Sequence, residues 1–397
     1  MLKKIGPGVL IAAAFIGPGT VTACTLAGVG FGFSLLWAMV ISIIATLVLQ
    51  EMSARLGVVT QRGLAAVIKE QLNLKWARWI VLAIVLAAIV IGNAAYEAGN
   101  IGGAVLGLEA LFGHNFSSLY PFIIGICAFG LLWAGNYKLL EKVFVTLVLL
   151  MSLSFVATAI ITKPDIIEVL KGMFLPKVAE GNLLSILALV GTTVVPYNLF
   201  LHASLVSEKW KSPDDLFDAR RDTFVSIVLG GVVSMAIMIA AASISGDNIS
   251  NVMDLAKGLE PLYGDLAKYF IGIGLFAAGV TSAITAPLAA AYVVNSCFGW
   301  DASLQHMKFK AVWIVILFLG VFFMSLDIRP IEVIKFAQIT NGILLPIIAI
   351  FLVWVVNRSS VMGKFKNNLL QNVLGLVIIA LALILGVKGI LAVFKMI

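Results

Sequence analysis

Apolar stretches of about twenty residues recur from one end of this chain to the other, and such runs are the signature of helices that span a bilayer. The composition agrees. Apolar residues make up 61% of the 397, mean hydropathy is +1.08, and 12% of residues are charged. A soluble domain of this length carries about twice that charge, so a large soluble protein with an apolar core is excluded. The first run has no convincing cleavage pattern and similar runs follow it, which reads as a retained span rather than a signal peptide. No soluble domain or low-complexity linker stands apart. A single transmembrane domain over residues 1–397 is expected.

Eleven spans are predicted, at about residues 7–30, 33–55, 76–106, 118–135, 142–162, 184–206, 223–245, 266–297, 311–326, 333–357 and 370–394. Lys and Arg in the connecting segments set orientation. With the N-terminus in the cytoplasm, 18 of the 27 basic residues fall on the inner side. That bias predicts a multi-pass protein of the cell inner (plasma) membrane, N-terminus cytoplasmic and C-terminus outside. The net charge of +7 then anchors the protein against the inner leaflet and is no nucleic-acid patch. Cys24, Cys127 and Cys297 all lie in apolar runs without CxxC spacing, so they read as small packed hydrophobes.

Two spans carry breaks. The first is interrupted at Gly17-Pro18-Gly19, and the sixth, "LALVGTTVVPYNLFLHASLV", holds Gly191 and Pro196. These are corresponding members of two five-helix halves. Interrupted helices in equivalent positions point to an inverted-repeat transporter with its binding site near the bilayer midplane. The first repeat is expected over about 7–162, the second over about 184–357, and an extra helix over about 370–394.

Four segments carry a family resemblance: "LLWAMVISIIATLVLQEMSARLGVVTQRGLAAVI" (35–68), "VVPYNLFLHASLV" (194–206), "FAAGVTSAITAPLAAAYV" (276–293) and "AQITNGILLPIIAIFLVWVVNRSSVMGKFKNN" (337–368). They resemble the second, sixth, eighth and tenth helices of the Nramp divalent-metal transporters. The resemblance covers nearly the whole chain. It implies an all-α integral membrane protein with the leucine-transporter-like fold, two inverted five-helix repeats plus an eleventh helix, with helices 1 and 6 discontinuous. Metal-transporting members read Asp-Pro-Gly-Asn at the first break, where this chain has Gly17 and Thr20 at the Asp and Asn positions. The family's Met-Pro-His in the sixth helix is Val195, Pro196 and Tyr197 here. A second histidine of that helix matches His202. The third-helix Asp on the family's proton path falls at Asn93 or Ala94, and the acidic residue after it matches Glu97.

A bare divalent ion needs anionic or soft ligands to replace its hydration shell, and neither break supplies one. No resident metal or cofactor is therefore expected. The broken ends instead offer backbone groups and half-helix dipoles to an ion or to a charged part of a substrate. Gly17, Gly19 and Thr20 are expected to present donors to a carboxylate. Thr192, Thr193 and the carbonyls before Pro196 are expected to face an ammonium group, with Val195, Tyr197 and Asn198 beside them. Thr281 and Ser282 of the eighth helix, and Gln338, Thr340 and Asn341 of the tenth, add polar candidates. A lone Thr or Ser in a helix can equally bond back to the carbonyl one turn earlier.

Glu97 is the one carboxylate well inside a span. At such depth it must be paired, protonated or set against a cavity. It is the expected coupling site for a proton or cation, with Asn93 and His202 as lesser candidates. His202 could titrate or simply pack. Glu51 and Arg55, at i,i+4 near the inner face, read as a local ion pair. No nucleophile–base set, phosphate loop or paired catalytic carboxylates appear, so no enzyme is read.

The expectation is a secondary-active importer working by alternating access. Its cargo is expected to be a small polar organic solute such as an amino acid. The alternative is a carrier for a hydrated divalent cation such as magnesium, with manganese or iron less favoured, and with possible proton coupling. A non-transporting sensor is disfavoured, because such relatives carry a large cytoplasmic domain.

Overall fold

A computed structural model of the chain describes residues 6–177, 181–242, 264, 266–300, 303–326 and 330–393. Helices form all the regular structure among the described residues. The first span is two helices, α1 (Gly8–Phe15) and α2 (Pro18–Phe31). It is followed by α3 (Leu36–Thr60), the short α4 (Leu64–Gln71), then α5 (Lys75–Leu86) and α6 (Gly92–Phe112), joined through a π-helical turn at Ala87–Ile91. Next come α7 (Tyr120–Ala134), α8 (Tyr137–Ile161) and α9 (Ile166–Phe174). The sixth span is again two helices, α10 (Leu183–Thr193) and α11 (Pro196–Lys209). The chain continues as α12 (Leu216–Ala242), α13 (Leu266–Phe298), α14 (Met307–Met324), α15 (Pro330–Val356), the single turn α16 (Ser359–Met362) and α17 (Leu369–Val393).

Each of the eleven expected spans overlaps one of these helices or helix pairs. The number long and apolar enough to cross a membrane is smaller. Eight helical stretches meet that condition among the described residues, and the bent pair Leu344–Val356 with Ser359–Phe365 makes nine. Two differences explain the count. Pro18–Thr60 is one continuous helical stretch, and Tyr120–Ala134 has only 15 residues. Large apolar side chains such as Ile126, Leu153, Ile160 and Leu376 stand exposed on the outer helices, as a lipid-facing surface requires.

The centre is built by close approach of small residues. Helix α6 packs along α13 through Ala104 and Gly107, which meet Gly279, Gly272 and the backbone of Phe276. A Cβ added at Gly279 would lie 2.5 Å from the backbone nitrogen of Ala104. Lipid tails give apolar helices no hydrophobic incentive to associate, so backbones that approach this closely gain dispersion contacts instead. The same device brings α2 against α6, where Gly103 receives the ring of Pro18, and α3 against α11, where Gly57 sits on the Ala203 carbonyl. These contacts carry both interrupted helices into the middle of the bundle.

Candidate functional site

The two breaks have the same construction. Helix α1 stops at Phe15, Ile16 and Gly17 leave the helical path, and Pro18 opens α2. Helix α10 stops at Thr193, Val194 and Val195 leave it, and Pro196 opens α11. In each case the residue before the proline is extended: Gly17 at φ −89°, ψ −177° and Val195 at φ −78°, ψ 119°. A proline ring disfavours helical geometry in the residue before it, and at the first helical position its missing N–H costs nothing. Gly191, expected to help break the sixth span, lies inside α10. The helix continues two residues past it because glycine alone does not end a helix.

The breaks meet. Thr20 Oγ1 and Thr192 Oγ1 are 2.8 Å apart, and the Thr20 hydroxyl also donates to the Phe15 carbonyl across its own break. Tyr197, the first residue after Pro196, donates its hydroxyl to the Ala14 carbonyl at 3.3 Å. Its ring stands edge-on to Tyr96 of α6, with centroids 5.8 Å apart. Helix α13 closes the third side, and a Cβ at Gly17 would overlap the Ser282 hydroxyl. Gly19, Thr20, Thr192, Tyr197, Asn198 and Ser282 are all buried.

The two eighth-helix candidates differ in their contacts. Thr281 bonds back to the Ala277 and Ala278 carbonyls at 2.9 Å each, so its hydroxyl is internally satisfied. Ser282 is the residue against the break, and its hydroxyl has no hydrogen-bond partner among the described residues. Asn198 Oδ1 and Asn341 Nδ2 are likewise buried and unpartnered there. The sixth-helix carbonyls are less free than expected, because Thr193 O accepts from Thr46 at 3.2 Å and Val195 O from the Asn198 amide at 3.1 Å. The Thr193 hydroxyl turns back onto the Leu189 carbonyl at 2.7 Å. Val195 supplies only an apolar wall. Gln338 and Thr340 have side chains outside the described residues.

The coupling candidates separate. Glu97 is fully buried. Its Oε2 accepts from Asn100 Nδ2 at 3.2 Å, whereas Oε1 has no partner among the described residues. The side chain lies against Gly320 of α14, so the carboxylate stands between the third and ninth spans. The π-helical turn at Ala87–Ile91 immediately precedes this segment. Asn93 donates to the Ala286 carbonyl of α13 at 2.8 Å, a structural bond between helices. His202 is held on both sides, by Gln50 Oε1 at 2.8 Å and Thr223 Oγ1 at 3.5 Å. Burial between two such partners is the packed arrangement rather than an open one.

The Nramp family model, described as natural resistance-associated macrophage protein-like, matches residues 8–392. The chain belongs to the Nramp family. Among its relatives, the divalent metal cation transporter MntH of Yersinia pestis is 27% identical over 390 residues, 95% of this chain and 92% of that one. The MntH of Caldanaerobacter subterraneus subsp. tengcongensis is 24% identical over 399 residues, 97% and 92% of the two chains. A manganese transporter of Eremococcus coleocola has a crystal structure that superposes with TM-score 0.83 at 21% identity, covering 98% of this chain and 86% of that one. MhsT in complex with L-phenylalanine superposes at TM-score 0.66 with 15% identity, over 97% and 98% of the two chains. This Nramp chain therefore has the leucine-transporter-like fold and is a multi-pass membrane protein of a transporter family.

The expected amino-acid cargo is overturned by these relatives. The matched proteins of this family are named metal transporters, and the likeness to MhsT extends to the fold alone. The expectation rested on open backbone donors at the first break. In this Nramp chain that break is closed by Ser282 against Gly17 and by the bonded hydroxyls of Thr20 and Thr192.

Proposed function

We propose that this protein carries a divalent metal cation across the membrane by alternating access, with the ion taken between the two helix breaks. The observation that carries the proposal is the direct meeting of those breaks at Thr20 and Thr192 in a chain of the Nramp family. Its relatives' names as divalent metal cation and manganese transporters support the cargo class.

The cargo proposed is a hydrated ion such as magnesium. The groups at the breaks are hydroxyl, amide and carbonyl oxygens from Thr20, Thr192, Tyr197, Asn198, Ser282 and the buried backbone at Gly17 and Gly19. Among the described residues there is no group of three or more His, Cys, Asp or Glu that could strip and hold an ion. Neutral oxygen donors suit a hard ion that dehydrates reluctantly and keeps its own waters. Manganese and iron, which gain more from carboxylate and thioether ligands, are the weaker substrates here. The ordered hydroxyl pair and the Ser282 contact must separate before such an ion enters, which makes the structure a closed state of the cycle.

Glu97 is proposed to couple transport to protons, on its depth and its unpartnered oxygen. The protein is proposed to lie in the inner membrane with its N-terminus in the cytoplasm, as one domain of two inverted repeats and an added helix. The test is metal entry into proteoliposomes. Magnesium is expected to enter faster than manganese. Thr20→Val and Thr192→Val are expected to reduce entry at least tenfold, an effect of about 1.4 kcal/mol or more in ion stabilisation, while keeping the parent's helical content by circular dichroism. Full uptake by both variants would overturn the site, and absence of any divalent uptake would overturn the function.

A further inference from the structure

A pocket with a basic lining lies away from the helix breaks. It has a volume of about 300 Å³ and sits where the start of α5 meets the end of α13. Three cationic side chains, Lys69, Lys75 and Arg78, line it together with Trp79, Leu82 and Phe298. No acidic residue lines it. None of the three basic groups has a carboxylate partner among the described residues; Glu70, next to Lys69, pairs with Arg62.

Two of the cations are fixed in place by carbonyl oxygens. Lys69 Nζ donates to Cys297 O at 2.9 Å, on the C-terminal turn of α13, and so offsets the negative end of that helix. Arg78 donates from Nε and Nη2 to Leu72 O at 3.1 and 2.9 Å, which leaves further guanidinium N–H groups for a ligand. Lys75 is exposed and its side chain makes no hydrogen bond or ion pair among the described residues. It is the first residue of α5, so the helix adds its positive end to the same pocket.

Trp79, Leu82 and Phe298 make the rest of the pocket apolar, and α5 carries further exposed apolar side chains beyond it. Trp76, Trp79, Ile80 and Ile84 of α5 are all exposed. Tryptophan at a helix end marks the headgroup level of a bilayer, and the isoleucines beyond it face acyl chains. A soluble anion would meet only the basic half of this arrangement. We propose that the pocket binds the phosphodiester headgroup of an anionic phospholipid, with the phosphate on Lys75 and Arg78 and the acyl chains along α5. Basic pockets between spanning helices are a known physical form of lipid recognition; the uncompensated charge beside an apolar strip identifies one here.

The test is native mass spectrometry of the full chain purified in detergent. Phosphatidylglycerol, phosphatidylcholine and free glycerol phosphate are added separately. Phosphatidylglycerol is expected to be retained in preference to the other two. Lys75→Gln is expected to weaken that retention roughly fivefold, the effect of removing one basic group near a charged membrane surface. Lys75→Arg is expected to restore it, and Lys211→Gln, outside the pocket lining, to leave it unchanged. Lys75 has no side-chain hydrogen bond or ion pair among the described residues, so its variants are expected to fold as the parent does. Equal retention of phosphatidylcholine, unchanged binding in Lys75→Gln, or equally tight binding of glycerol phosphate would each overturn the proposal.

Discussion

Gly17 carries most of the meaning at the scale of single residues. By the chain's resemblance to the metal-transporting members, Gly17 falls where they keep an Asp, and the Ser282 hydroxyl occupies the space its side chain would need. In this chain the position without a side chain and the hydroxyl that fills its space face each other from two helices. Placing an Asp at Gly17 alone overfills the site, at a typical cost of about 1–3 kcal/mol. Gly17→Asp is therefore expected to melt below the parent, and the added Ser282→Ala to recover part of the loss. The double variant is also expected to bind manganese more tightly than the parent by calorimetry. If single and double variants melt together, the Ser282 contact is not what closes the position. The missing side chain at Gly17 was legible in the sequence, whereas its contact with Ser282 was not, because a contact between residues so far apart leaves no local pattern. The choice between Thr281 and Ser282 was likewise open, since neighbouring residues on a helix differ by about 100° in direction and only packing sets the zero.

Among the elements, the breaks were the most legible, because a proline inside an apolar run has few outcomes. Their exact shape was less so: the sixth span yields at Val194 and Val195, not at Gly191. A second case is the pair Glu51 and Arg55. It read as a local contact on one helix, and the structure does place Arg55 Nε 3.0 Å from Glu51. The buried Arg55 guanidinium also bonds the Phe365 carbonyl and, at 2.6 Å, Asn367 Oδ1, while Arg220 of α12 reaches Glu51 at 2.8 Å. One arginine therefore ties α3 to the segment after α15 and, through Glu51, to α12. Removing one member of a buried charged cluster strands the others. Arg55→Ala is expected to cost about 3–5 kcal/mol, measured by unfolding in detergent. Glu51→Gln is expected to cost less, because Glu51 is partly exposed and solvent screens what remains. An Arg55→Ala variant that unfolds with the parent would show that the cluster does not hold these elements together.

For the whole molecule, the apolar runs give a multi-pass helical bundle, and the distribution of Lys and Arg predicts that its N-terminus lies inside. Orientation is checked with a membrane-impermeant thiol reagent in a Cys127→Ser background. Lys163→Cys is expected to react in intact cells and Lys211→Cys only after permeabilisation; the reverse pattern would invert the topology and with it the positive-inside reading.

The sequence by itself determined that this chain crosses a membrane many times, that two of its spans are interrupted, and to which family it is similar. Those properties depend on the hydropathy of runs and on the backbone limits of proline, which act locally. It did not determine the cargo, and the expectation of an amino acid was wrong. The absence of charge at a break is compatible with several ligands, and it took relatives named as metal transporters to overturn the amino acid. Only the tertiary structure decided which polar atoms are already bonded, which are left without partners, and which helices the glycines bring together. Those are outcomes of packing between segments far apart in the chain, where the position of one atom depends on the volume left by another.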